Sequence, residues 1–438
     1  MIENQRDAGL VRAVGPWGLA ASTVCIVVGA GIFAVPAKLA ASVGSYAPLA
    51  LLVCAVAIGA IAICFAEGGS RLASSGGAYG YIATAFGPLA GFIAGVLSWL
   101  GSVLASGGVA AALADVVGSV LPPHLWPVVR VLAIVGVVGG IALVNVGGVV
   151  HATRLVSAAT LLKLVPLLIF VVVGAGAARG ANFVQTVRPD STGLGQALIL
   201  AMFAFTGMEI SLCASGEVTE PARTIPRALA LAMVGVTLLY VAIQVVAQGV
   251  LGPALAHSSV PLADAMGRIH PGLRLLMLAG AAVSMFGLLS SELLGNPRVL
   301  FAFARDGLLP RVLARVHAAN RVPHVAILVN AGIAMGFALI GSFAQLAIWS
   351  TLATAPLYML GCAAAWRLAQ RGVAQAGAPL EFRWLGIAAV VGIGAMLGLM
   401  ALAQSQEILG LAGVIAASAL AFLLLNRWRR PVAATREV

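Results

Sequence analysis

The chain has 438 residues, of which 61% are hydrophobic and 9% charged, with a mean hydropathy of +1.06. A water-soluble domain carries about 25% charged residues, so this composition excludes a soluble globular protein. The formal charge of +11 is no nucleic-acid footprint, because the arginines follow the ends of apolar runs and form no single patch.

The apolar runs are near the length that a helix needs to cross about 30 Å of hydrocarbon. Lipid cannot satisfy an open backbone, so such runs must be helical, and the alternating segments of a membrane barrel are absent. The chain therefore reads as an all-α polytopic membrane protein with about twelve spans. Their cores are placed at 17–42, 47–66, 88–117, 126–148, 155–176, 195–216, 228–250, 274–302, 324–341, 346–366, 384–403 and 408–426. With a cytoplasmic N-terminus, Arg71, Arg154, Arg223, Arg227, the cluster from Arg298 to Arg321, and the arginines from Arg367 to Arg436 fall inside. Arg130, Arg179, Arg188, Arg268 and Arg274 fall outside. That asymmetry places both termini in the cytoplasm.

The opening residues MIENQRDAGLVRAVGP lack a cleavage signature, so the first span is expected to stay as an anchor. That span contains VVGAGIFAVPAKLA, with Gly29, Ala30 and Gly31 at mid-membrane and Pro36 after them. Glycine costs about 1 kcal/mol relative to alanine in a helix and permits unwinding. Span three places Ser98, Ser102 and Ser106 on one helical face, either to line a site or to bond a neighbouring helix. Span five holds Lys163, too deep to snorkel easily. Span six reads FAFTGMEISLCASGE, with Gly207 near its middle and Glu209 just beyond. Paired glycine-interrupted spans in corresponding halves point to a transporter's substrate site.

The segment 252–270 is expected as an external loop with a short helix, and 304–324 as a basic cytoplasmic loop with an amphipathic turn or two. Span eight contains Glu292. Lys38 and Glu67 lie near span ends and read as interfacial. Glu217, Glu220, Arg223 and Arg227 form either inward-gate ion pairs or a solvated loop. The five cysteines lie within apolar runs and read as small hydrophobes, with no CxxC or metal-ligand spacing. No HExxH, GxSxG or paired-Asp motif supports an enzyme, and neither a metal nor a cofactor is expected.

Four ordered motifs resemble the amino acid–polyamine–organocation transporters: VVGAGIFAVPAKLA, SGGAYGYIATAFGPLAGFIAGVLSWLG, FAFTGMEISLCASGEVTEPARTIPRAL and GNPRVLFAFARDGLLPRVLARV. The resemblance covers about residues 15–370. It implies a leucine-transporter-like fold: two inverted five-helix repeats, about 15–178 and about 193–370, with helices one and six discontinuous. Two further helices would follow at about 383–427. It also implies alternating-access transport of amino acids or amines across the cytoplasmic membrane, by proton coupling or exchange.

On that pattern, unwound N–H groups at Gly29, Ala30, Gly31 and Ile32 would take a substrate carboxylate. Free carbonyls near Phe203, Ala204 and Thr206, beside Gly207, would take its ammonium. The resemblance makes Phe203 an aromatic gate over the substrate and leaves a wider pocket at Ser98. It puts the Lys163 ammonium where sodium binds in sodium-coupled cousins, implying sodium independence. Glu209 matches a family acid suited to gating or coupling. Glu292 stands where a relative has an aromatic, and could pair with a cationic substrate or with Lys163. Three readings therefore stand: an amino acid permease or exchanger, a polyamine or amine carrier, and a non-transporting amino acid sensor. The oligomeric state is not readable from these residues.

Overall fold

The computed structural model describes residues 15–428 except 73–76, 120, 148–162, 184–188, 212–217, 306, 318–319 and 376. Within them every regular element is helical. The first span is two helices, α1 (Pro16–Val27) and α2 (Gly31–Val43), followed by α3 (Ala47–Arg71), a short α4 (Gly77–Phe86) and α5 (Pro88–Gly118). Next come α6 (Trp126–Val146), α7 (Leu164–Ala177) and the broken sixth span, α8 (Ser191–Phe205) with α9 (Met208–Ser211). The chain continues through α10 (Pro221–Leu251), α11 (Pro261–Gly267), α12 (Pro271–Gly295) and α13 (Pro297–Arg305). It ends with α14 (His324–Ile340), α15 (Phe343–Gln370), α16 (Leu385–Ala401) and α17 (Ser405–Trp428).

Eight helical stretches are long and apolar enough to cross a membrane, and four shorter apolar helices accompany them among the described residues. α5 and α10, of 31 residues each, run roughly 46 Å at 1.5 Å per residue and so exceed the hydrocarbon thickness. Starts are set by local chemistry. Pro16, Pro88, Pro221, Pro261 and Pro271 open their helices, where the missing N–H costs nothing. Asp190 caps α8 through the Gly193 N–H at 2.7 Å.

α5 lies at the centre against α12, α14 and α15, and its small residues permit that. A Cβ on Gly107 would stand 3.1 Å from the Ala334 carbonyl oxygen, and one on Gly108 3.3 Å from Leu346 Cβ. In lipid, such close backbone packing replaces the hydrophobic effect as the force between helices. Trp99 Nε1 and Asn296 Nδ2 both donate to Asn330 Oδ1, at 3.0 and 3.2 Å, tying α5 and the end of α12 to α14. Arg130 of α6 donates to the carbonyls of Ala338, Leu339 and Gly341, closing the C-terminal end of α14. The outward face of α6, with Val128, Leu132 and Leu143, is exposed and suits hydrocarbon.

Several boundaries differ from the sequence expectation. The second span extends from 66 to Arg71, the seventh begins at Pro221 instead of 228, and the eighth is interrupted between Gly295 and Pro297. The stretch before span three holds α4. The expected interfacial position of Glu67 is incorrect: the residue is fully buried. Its carboxylate pairs with Arg71 at 2.7 Å and accepts the Phe382 N–H at 3.1 Å. Arg71 in turn donates to Val373 O at 3.0 Å and its own carbonyl accepts the Gln375 N–H at 2.8 Å. The end of α3 thereby clamps the connector between α15 and α16. The pair survives in the interior because hydrogen bonds fill its remaining valences.

Candidate functional site

Both expected breaks exist. α1 ends at Val27, residues 28–30 bend, and α2 starts at Gly31. α8 ends at Phe205, and Gly207, at φ +110°, turns the chain into α9. A side chain at that φ would be strained, which is why glycine stands there. The two breaks touch. A Cβ on Gly31 would approach Ala204 Cα to 3.2 Å, and one on Gly207 would approach Ile26 Cγ2 to 3.1 Å. Gly29, Ala30, Gly31 and Ile32 are all buried, but the Gly29 N–H is not free as expected: it donates to the Val27 carbonyl at 2.8 Å.

Breaking two helices creates four new ends inside the bundle, two rich in carbonyls and two in N–H groups. The protein's own ions occupy one of each kind. Lys163, buried at the N-cap of α7, donates to the Cys25 carbonyl in the last turn of α1, where a cation complements the helix dipole. Glu209 accepts the Gly207 N–H at 3.1 Å at the start of α9, and its same oxygen accepts the Tyr358 hydroxyl at 2.6 Å. The N-terminal end of α2 and the C-terminal end of α8 remain, one favouring an anion and the other a cation.

Of the expected free carbonyls, those of Phe203 and Ala204 already have partners. The Phe203 carbonyl accepts the Thr206 hydroxyl at 2.8 Å and the Thr206 N–H at 3.2 Å. The Ala204 carbonyl lies 3.0 Å from the Tyr240 hydroxyl, which also lies 2.9 Å from the Val27 carbonyl. A phenol has one proton, so Tyr240 bonds one break or the other at any instant. The Phe203 carbonyl has spent its capacity, whereas the Ala204 carbonyl keeps a lone pair.

The Phe203 ring lies near Gly31, with Cδ1 3.6 Å from where a Cβ would sit, and packs edge-to-face on Phe343 at 5.7 Å. Phe343 also lines a cavity of about 90 Å³ with Phe33, Lys38, Asp115 and Met285. Leu288 covers the other side of the first break, its Cδ2 2.5 Å from an added Gly29 Cβ.

Glu292 faces Ser102 at hydrogen-bonding reach and stands within electrostatic range of Glu209. The expected alternative of a Glu292–Lys163 pair does not form among the described residues; the Lys163 ammonium donates to the Cys25 carbonyl instead. Ser106 spends its hydroxyl on the Ser102 carbonyl at 2.9 Å, as a packing serine does, and Ser98 is half-buried. Arg223 and Glu220 form an exposed pair at 3.8 Å, of the kind worth at most about 1 kcal/mol. Glu217 lies outside the described residues.

Sequence reasoning missed Tyr240 and Tyr358. Each is an apolar-run aromatic whose hydroxyl finds a partner far along the chain, so no spacing could reveal it. Gln244 and Gln248 follow Tyr240 by one and two turns and reach Pro36 O at 3.4 Å and Gly44 O at 2.8 Å. A row of polar residues within an apolar span was the available signal.

Residues 14–433 match the family described as amino acid permease. An uncharacterized transporter of Mycobacterium tuberculosis is 38% identical over 308 residues, 69% of this chain and 68% of that protein. The methylthioribose transporter of Bacillus subtilis is 27% identical over 375 residues, 80% of each chain. The branched-chain amino acid permease BcaP of the same organism is 27% identical over 348 residues, 73% of each. With the family matching nearly the whole chain and apolar helices throughout, this integral membrane protein belongs to the amino acid permease family.

Proposed function

We propose that the chain is a secondary transporter that carries amino acids across the cytoplasmic membrane by alternating access. Twelve crossings follow if α1 with α2, α8 with α9 and α12 with α13 each count once and the short α4 and α11 do not cross. Two inverted five-helix repeats, about 15–178 and about 193–370, would then precede α16 and α17, with both termini cytoplasmic. The observation that carries the reading is the pair of touching helix breaks, of which the two ends without a charged partner from the protein have opposite polarity. A zwitterion is the small molecule that matches them: its carboxylate at the N–H groups of Ala30, Gly31 and Ile32, its ammonium toward Ala204 O. Phe203 and Phe343 form the gate between that position and the cavity beyond.

Lys163 serves as an internal cation in place of sodium, and Glu209 as the group through which protons or gating couple. Glu292 with Ser98 and Ser102 forms the side-chain pocket. A second reading, a carrier of cationic amino acids or amines, draws support from the Glu292–Glu209 proximity, where two acids share one region of the bundle. The relative named for methylthioribose keeps substrates other than amino acids in the screen. The test is proteoliposome counterflow with radiolabelled neutral and basic amino acids, polyamines and methylthioribose, with and without sodium and a pH gradient. Sodium-independent exchange of an amino acid is the expected result. Strict sodium dependence, or exchange of polyamines alone, would overturn this assignment.

A further inference from the structure

We infer that the groove between α5, α15 and α17 is a binding site for a phospholipid with an ammonium-bearing, net-neutral headgroup. The groove encloses about 570 Å³ and lies apart from the helix breaks. Its lining is graded. Gln404, Gln406 and Glu407 come from the start of α17, Gln345 from the first turn of α15 and Gln196 from the second turn of α8. Three chain segments thus place polar side chains at one mouth. Leu352 and Ala353 continue the groove along α15, and Leu411 and Val414 along α17, with Leu100 and Leu104 as the floor. From Gln345 to Ala353 and from Gln404 to Val414 this depth is roughly 12–15 Å of helix, space for the upper part of an acyl chain.

Packing says that something other than protein fills it. Of the most apolar window of α17 only 6% is buried inside the protein, against 72% for α15. Packing in hydrocarbon leaves few voids, so a groove of this size beside a loosely held helix is filled by lipid.

The charge of the mouth selects the headgroup. Its lining contains one carboxylate, Glu407, four amides, and no lysine or arginine. An anionic headgroup would meet Glu407 and find no cation among the lining residues, unlike the basic pockets that recognise acidic lipids. An ammonium would find the carboxylate, and the glutamine N–H groups would donate to the adjoining phosphate.

The test uses the full chain in nanodiscs of equal phosphatidylethanolamine and phosphatidylglycerol, released into mild detergent and weighed intact by native mass spectrometry. Retained lipid should be enriched in phosphatidylethanolamine about three- to fivefold, the size an exposed charge pair supports. Gly410→Trp places an indole in the groove, since a Cβ there meets nothing within 4 Å, and should remove the retained lipid. Glu407→Gln keeps the acceptor that caps α17 at the Gln404 N–H, 2.9 Å away. It should keep lipid bound while the two headgroups become equal. Retention of phosphatidylglycerol at or above parity in the unaltered protein would overturn the proposal. So would unchanged retention in Gly410→Trp, or a dimer that this substitution splits without lipid loss, which would make a second copy the occupant.

Discussion

The break between α1 and α2 and the break between α8 and α9 meet the same difficulty by different routes. The first takes its side-chain partners from outside, Lys163 from the start of α7 and Tyr240 from α10, while its own segment adds backbone bonds alone, Gly29 N–H to Val27 O and Phe33 N–H to Ala30 O. The second is largely held from within, since Thr206 bonds back to Phe203 and Glu209 folds onto Gly207, with Tyr358 of α15 and the shared Tyr240 as outside partners. A break held by other helices exists only while the bundle is assembled as described. A break wired locally keeps its shape when its neighbours shift. On the proposed transport cycle, the first is the half open to reorganisation and the second is its more locally held counterpart.

The largest test is Gly31→Val. Its Cβ would press on the Ala204 backbone at 3.2 Å, and overpacking of this kind costs about 1–3 kcal/mol. Substrate binding should fall about 10- to 100-fold, read by scintillation proximity on purified protein. Gly29→Ala presses only on the Leu288 side chain, which can turn, so its loss should be smaller. Equal losses would show that the two halves are not docked as described.

Lys163→Met removes the charged donor from Cys25 O, an interaction worth about 1.5–3 kcal/mol. The midpoint of thermal unfolding should drop and exchange should slow about tenfold or more, without sodium becoming able to restore it. Full rescue by sodium would place the cation's role elsewhere. Glu292→Gln should weaken basic substrates about tenfold, the size of one lost charged hydrogen bond, and leave neutral ones nearly unchanged in competition assays. A uniform effect would move Glu292 from the pocket to the coupling machinery. The smallest change is Tyr240→Phe, which deletes one hydroxyl worth about 1 kcal/mol. Exchange should slow about fivefold with a smaller effect on binding, because the hydroxyl serves the Val27 or the Ala204 carbonyl in turn and reaches the proposed ammonium position only through the second.

The helical class, the spans and both glycine breaks were legible because lipid imposes length and apolarity on each span, and because glycine punctuates a helix locally. Gly29, Gly31, Gly207, Lys163 and Glu209 could be singled out for the same reason: each violates the rule of its own segment. What was hidden depends on contacts distant in sequence. Glu67 looked interfacial because its neighbours in the chain end a span, yet the connector near Phe382 covers it. The Ala204 carbonyl looked open because its partner hydroxyl lies 36 residues away. Glu292 could be located by motif spacing, but its facing residues, Ser102 and Glu209, are set by how α5, α9 and α12 meet.

The clamp at the end of α3 couples parts of the chain that sequence keeps far apart. The strand of backbone joining α15 to α16 is stitched at Val373, Gln375 and Phe382 to a helix that it neither follows nor precedes. Any swing of α3 must therefore drag the root of α16 with it, as a rudder line drags a rudder. The last two helices are thus tied to α3 through Glu67, Ser70 and Arg71 and through the direct packing of α16 on α3.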